Sequence, residues 1–285
     1  MIISGHAVDL GGTKIAVARI QNGKVETRVQ AATSGKADLN GQLEAMGKLL
    51  DETGYRAGDS LGVAVTGRLD RDGNWHAVNT GTLSAISAAA LRNMLQNRFG
   101  HRVAAINDAA AAALAESRLG AGQGAYNFAY LTVSTGVGGG LVLGGRLIDS
   151  NSGLAGHVGF ASSRQSEMLC GSGRFGTVES IASGRAIASA AGLPDGRTVF
   201  ARDADDPVIQ RSAEAIARLL ADLTAILGLD VVALGGSIGL APGYLSKVLG
   251  YLESEPTLFR PSVVRAQLGN DSGLVGALLH CVETT

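Results

Sequence analysis

Apolar positions along the chain fall into short runs separated by glycine-rich turns and by longer stretches of helical spacing. His6–Leu10 and Lys14–Ile20 read as two strands flanking Gly11-Gly12-Thr13. Lys24–Ala32 reads as a third strand, after the Asn22-Gly23 turn. Leu43, Met46, Leu49 and Leu50 share one face of a helix over Leu39–Gly54. Ser60–Val65 is a short buried strand that ends at Thr66-Gly67-Arg68, and Asp70–Gly73 is turn chemistry. Ser84–Phe99 is expected to be helical and Arg102–Ile106 to be a buried strand. The alanine-rich stretch that follows is strong helix material, with Asn107 and Asp108 standing where the strand stops and the helix begins.

The second half repeats this plan. Asn127–Val133 and Gly140–Leu143 are strands on either side of a Ser/Thr/Gly turn, so Leu131–Leu143 echoes Val8–Val17. Asn151–Thr177 is irregular and rich in Gly and Ser. Helices are expected over Val178–Ala191 (from near Glu179), Asp206–Leu227, Pro242–Leu252 and Ser272–Cys281. Val231–Leu234 is a buried strand that opens into Gly235-Gly236-Ser237. Two halves that each open on strand, glycine turn and strand predict an α/β fold of two related lobes. A phosphate-bearing ligand would lie in the cleft, with one turn from each side, because such turns leave backbone N–H groups free.

Composition narrows the function classes. Lys+Arg 24 against Asp+Glu 25 leaves a net charge of −1 and no basic stripe, which argues against a nucleic-acid partner. Cys170 and Cys281 are too few for a disulfide framework and point to a reducing, cytoplasmic setting. The first residues lack the basic and apolar regions of a secretory signal, and no apolar run is long enough to span a membrane.

Several residues could carry phosphate chemistry. Asp9, beside Gly11, Gly12, Thr13 and Lys14, could bind Mg²⁺ directly or through water; it could equally be a turn-forming Asp, and Lys14 a solvated charge. Thr135, Gly136, Val137 and Gly138 in the second turn could stabilise a transferred phosphoryl group through neutral amides and hydroxyls. Asp108 could accept a proton from a substrate hydroxyl while Asn107 holds a neighbouring one, although a plain N-cap has the same pattern. His157 could be an ordinary structural histidine, and Glu179 could be placed by the helix dipole alone. Gly235 and Gly236 allow close approach of a flat or phosphorylated ligand.

Taken together these segments resemble the repressor/ORF/kinase family of sugar kinases, and within it the bacterial N-acetylmannosamine kinases. The resemblance rests on DLGGTK at Asp9–Lys14, STGVGGG at Ser134–Gly140, INDAAAAALAE at Ile106–Glu116, VESIASGR at Val178–Arg185 and LGGSIGLAPGYL at Leu234–Leu245, in family order over essentially the whole chain. It implies an actin-like, hexokinase-type fold with a duplicated core. The smaller lobe would span 1–107 with about 270–285, and the larger 108–269. It also implies a cytoplasmic homodimer, ATP and Mg²⁺ as cofactors, and a role in sialic acid breakdown. Asp108 would be the general base. Gly67, Asn107, His157 and Glu179 would contact the sugar, with Arg68 and Asn79 as neighbours. Gly11–Thr13, with Lys14, and Thr135–Gly138 would hold ATP phosphates, with Gly235 and Gly236 near the nucleoside.

Two departures qualify the resemblance. Many family glucokinases carry Glu where this chain has His157, and Gly156-His157-Val158-Gly159-Phe160 is similar to the GHxGH of the enteric N-acetylmannosamine kinases, with Phe160 at its last position. That favours the acylated mannosamine over glucose or another hexose. The family's structural zinc positions are here Phe160, Cys170, Ser172 and Thr177, and one thiol cannot make a tetrahedral zinc site, so no structural zinc is expected. Phe160 is expected to pack locally. A sugar-responsive repressor is disfavoured because the chain reaches Asp9 without room for a helix-turn-helix. A non-catalytic sugar binder is disfavoured by retention of Asp9, Asn107 and Asp108.

Overall fold

The computed structural model describes residues 3–79 and 81–285. The chain forms two compact units: Met1–Ala115 with Asp149–Ala155 and Asn270–Thr285, and Glu116–Ile148 with Gly156–Gly269. No described helix is long and apolar enough to cross a membrane.

The first unit is built on β1 (Gly5–Leu10), β2 (Lys14–Gln21) and β3 (Lys24–Ala32), an antiparallel meander. Asn22 and Gly23 both take positive φ between β2 and β3, as a two-residue hairpin turn requires. Helix α1 (Leu39–Glu52) is capped by Asp38 and buries Leu43, Met46, Leu49 and Leu50, the face expected from their spacing. Strand β4 (Leu61–Val65) then adds parallel to β1. The short hairpin β5 (Arg68–Leu69) and β6 (Trp75–His76) follows, then α2 (Leu91–Phe99) and β7 (Val103–Asn107). The sheet order is β3-β2-β1-β4-β7, with β1, β4 and β7 parallel. Helix α3 (Asp108–Leu119) begins directly at the end of β7.

All five residues of β4 are buried, and its Gly62 is where the C-terminal helix (Ser272–Thr284) lies against the sheet. A Cβ on Gly62 would fall onto the Ala277 carbonyl, so contact this close needs a residue without a side chain.

The helix expected over Ser84–Phe99 is shorter, confined to α2. Residues before it spend their backbone groups on tertiary bonds: Trp75 and Ala89 exchange N–H···O bonds at 2.7 and 2.9 Å, and Ala77 N–H donates to Ile86 O. Leu83 and Ala88 also sit at positive φ, which no helix allows, while the Leu83 side chain is fully buried.

The second unit repeats the sheet. Strands β8 (Phe128–Val133), β9 (Val137–Leu143) and β10 (Arg146–Leu147) form the antiparallel part. The chain then runs through α4 (Glu179–Ala182), α5 (Gly184–Ala191), α6 (Gly196–Arg202), α7 (Pro207–Leu227), β11 (Val231–Gly235), α8 (Gly236–Gly239), α9 (Tyr244–Leu252) and β12 (Ser262–Arg265). The order β10-β9-β8-β11-β12, with β8, β11 and β12 parallel, matches the first sheet strand for strand. The helix expected over Val178–Ala191 is broken at Ser183, whose extended backbone lets its hydroxyl accept the Ala186 N–H and cap α5. Strand β9 starts at Val137, before the expected Gly140, because its glycines still pair with β8. Helix α7 has Asp206 as its N-cap, Pro207 in its first turn and Gly228 in the left-handed conformation at its end. Helix α6 and strand β12 were not anticipated from periodicity.

Candidate active site

In the first unit, β1, β4 and β7 are parallel and end together, so Asp9, Thr66 and Asn107-Asp108 come from neighbouring strand ends. That is where parallel sheets place their ligand chemistry. Asn107 is the cap of α3: its Oδ1 accepts the Ala110 N–H at 3.0 Å, while its Nδ2 donates to Gly67 O at 2.7 Å and to Asp108 Oδ1 at 3.0 Å. Asp108 lies in the first turn, where its Oδ1 accepts the Ala109 N–H at 2.8 Å and its Oδ2 accepts the Thr66 hydroxyl at 2.9 Å. A carboxylate fixed on both oxygens is held in one orientation and stays an acceptor.

Thr66 was absent from the sequence-derived candidates. The signal was its place at a strand end directly before Gly67; in the fold it stands one residue beyond the Leu10–Val65 pair and its N–H donates to Leu10 O. The buried Trp75 indole donates to Thr66 O at 2.8 Å and fixes that corner.

Asp9 is partly buried. Desolvation, and then the Asp108 charge, push its carboxyl up to about 6, against the opposing pull of Lys14 and Arg28. Two hard oxygen donors in mutual repulsion suit a hard divalent cation. Among the described residues no group of three His, Cys, Asp or Glu gathers for a metal. An ion such as Mg²⁺, held by one or two carboxylates, water and substrate phosphates, fits this donor set.

Gly11, Gly12 and Thr13 form the bend between β1 and β2, closed by the Gly11 N–H to Lys14 O bond at 2.9 Å; Lys14 is exposed. The Asn79 Oδ1 accepts the Gly81 N–H at 3.0 Å within its own turn, and Arg68 donates to Ser152 O at 2.7 Å.

In the second unit, Ser134, Thr135 and Gly136 make the turn between β8 and β9. Glu179, at the start of α4, accepts the Val137 N–H at 3.1 Å. Ser134 Oγ meets Ser237 Oγ at 3.1 Å, which joins this turn to the Gly235-Gly236 turn at the end of β11. His157 precedes a single 3₁₀ turn, Val158–Phe160, whose Val158 side chain packs beside Gly139 of β9. The Phe160 ring stacks on His157 with centroids 5.9 Å apart and planes at 25°.

Cys170 Sγ contacts Ser172 Oγ at 3.0 Å. Burial alone would raise this thiol, but hydrogen bonds from Ser172 and Thr177 outweigh it and hold the thiol below its ordinary range. One sulfur, two hydroxyls and a phenyl ring do not fit a structural zinc ion.

The ROK family model matches residues 6–283. The chain belongs to the ROK family. It is 39% identical to the N-acetylmannosamine kinase of Haemophilus influenzae strain PittEE over 280 residues, 95% of this chain and 93% of the relative. It is likewise 39% identical to the N-acetylmannosamine kinase of Escherichia coli strain ATCC 8739, over 96% of both chains. Among solved structures, the ROK hexokinase of Thermus thermophilus superposes with a TM-score of 0.81 at 34% identity, covering 98% of this chain and 97% of that one. The ROK glucokinase of Streptomyces griseus, solved with glucose and AMPPNP, gives 0.82 at 28% identity over 98% and 99%. This ROK member therefore has the actin-like ATPase fold, and its two matching sheets are the duplicated core of that fold.

Proposed function

We propose that this ROK member transfers the γ-phosphoryl group of ATP to the 6-hydroxyl of N-acetyl-D-mannosamine, a step of sialic acid breakdown. The observation that carries the chemistry is Asp108, a carboxylate held by Thr66, Asn107 and the Ala109 amide at the edge of a parallel sheet. Asp108 accepts the hydroxyl proton as the oxygen attacks. The loose transition state of phosphoryl transfer asks for an oriented acceptor more than for a strong base. Asn107, whose Nδ2 hydrogens go to Gly67 and Asp108, holds a neighbouring hydroxyl by accepting from it at Oδ1. Mg²⁺, when bound at Asp9, would neutralise charge on the phosphates. Gly11–Thr13 with Lys14 would bind phosphate through amides and a cation, Thr135–Gly138 would do so through amides, and Gly235 and Gly236 would lie near the nucleoside. His157 and Glu179 supply acceptor contacts, with Gly67, Arg68 and Asn79 as neighbours. The choice of sugar is supported by the N-acetylmannosamine kinases that match nearly the full chain and by His157. The same reading carries a cytoplasmic homodimer and a loop around Cys170 that needs no zinc.

A coupled ADP-release assay tests this. ADP should form with N-acetylmannosamine at a kcat/KM at least about tenfold above that for glucose, a difference of ~1.4 kcal/mol at the transition state. Equal or better use of glucose would refute the choice of sugar, and no ADP with either would refute the kinase reading.

A further inference from the structure

Glu179 enters the proposed reaction as an acceptor contact, yet its carboxylate also lies on the phosphate turn. Oε2 accepts the Val137 N–H at 3.1 Å. A Cβ built on Gly136 would lie 2.6 Å from Oε2, and the atoms it would meet all belong to Glu179. The adjoining residues brace the turn as well: Gly184 N–H donates to Ser134 O at 2.7 Å and Arg185 N–H to Thr135 O at 3.4 Å. Glu179 also lines a cavity of about 480 Å³ together with Thr135, Cys170 and Arg185. Burial raises this carboxyl above its ordinary value, against the Val137 amide and Arg185, so an added hydrogen-bond donor is favoured there.

The Val137 N–H is a single donor. Held by Glu179, it is not available to a phosphate oxygen; released, it is. We propose that Glu179 is a positioning residue that couples the acceptor to the phosphate turn. Without acceptor it holds the Val137 amide. When an acceptor hydroxyl donates to the carboxylate, the amide turns to the phosphate. The hydroxyl-bearing acceptor rests on the kinase reading; the carboxylate–turn link does not.

Positive coupling between acceptor and nucleotide follows, of the size usual between linked sites, about 5–150-fold. The test titrates a non-hydrolysable ATP analogue with Mg²⁺ by calorimetry, with and without saturating N-acetylmannosamine. In the wild type the sugar should tighten the analogue at least about fivefold. In Glu179→Gln, with sugar saturation verified separately, the effect should shrink to within about twofold. Gly136→Ala, whose methyl displaces the carboxylate, should also lose the coupling. In a Glu179→Ala background the same methyl should change analogue affinity by a clearly different factor than in the wild type, the non-additivity of residues in contact. Retained coupling in Glu179→Gln, or an equal effect of Gly136→Ala in both backgrounds, would overturn the proposal. A wild type that binds the analogue but no N-acetylmannosamine would refute the choice of acceptor. The Gly136–Glu179 cycle uses no sugar and still decides whether the carboxylate holds the turn.

Discussion

Replacing Asp9 by Asn should make the ligand-free protein more stable at pH 8. Asp9 gains its proton at about 6 in the folded chain, against an ordinary carboxyl value of 3.8, through desolvation and the Asp108 charge. Between those two values the folded chain binds more protons than the unfolded one, so stability falls as pH rises through that window. The penalty is complete above it. The difference between these two values corresponds to a ceiling of ~3 kcal/mol, and solvent reaching this partly exposed group lowers the figure to ~1–2 kcal/mol. Asn keeps the size of the side chain and removes the charge. Urea unfolding can be followed through Trp75, the single tryptophan, which is buried beside Thr66 and reports on the first unit. The variant should gain ~1–2 kcal/mol at pH 8 and about half of that at pH 5. Activity should fall together with the Mg²⁺ dependence, so stability and function move in opposite directions. A variant no more stable than wild type at pH 8, or a gain that ignores pH, would show that Asp9 is not a strained carboxylate.

Three further outcomes are expected. Asp108→Asn should lower kcat by roughly 10²–10⁴ in the ADP-release assay, with analogue binding and circular dichroism retained, and near-normal turnover would remove Asp108 from the mechanism. Gly62→Ala should cost ~3 kcal/mol or more in chemical denaturation, because the methyl meets the Ala277 backbone and no flexible side chain can give way. Elemental analysis should find no stoichiometric zinc, and a chelator should leave the melting temperature unchanged; one tightly held zinc per chain would contradict the chemistry of Cys170, Ser172 and Thr177.

The sequence carried most of the regular fold because apolar spacing and turn residues agree there. Helix α7 shows its cap, its first-turn proline and its terminal glycine in plain order. Legibility failed where tertiary bonds override local preference. Residues 84–90 look helical in isolation, yet Trp75 and Ala77 take their backbone groups. Ser183 hides inside a helical pattern but caps a second helix. At the site, the pairing of Asn107 with Asp108 was visible as a strand-to-helix junction. Which of the two caps the helix was not, since either side chain can do so. Thr66 was missed because its link to Asp108 joins positions 42 residues apart. Glu179 on the Val137 amide was hidden for the same reason, since nothing local relates a helix start to a turn that far away.

The close seat of the C-terminal helix on Gly62 has a consequence for the order in which the protein is made. Strand β4 is synthesised early, but the helix that covers it, Ser272–Thr284, leaves the ribosome after both sheets. Until then the first unit lacks its last layer, with a glycine groove and an apolar strand open to water. The second unit needs nothing beyond Gly269. During vectorial synthesis, therefore, the half that begins later is the first to be completed, and the half that begins first waits for its lid.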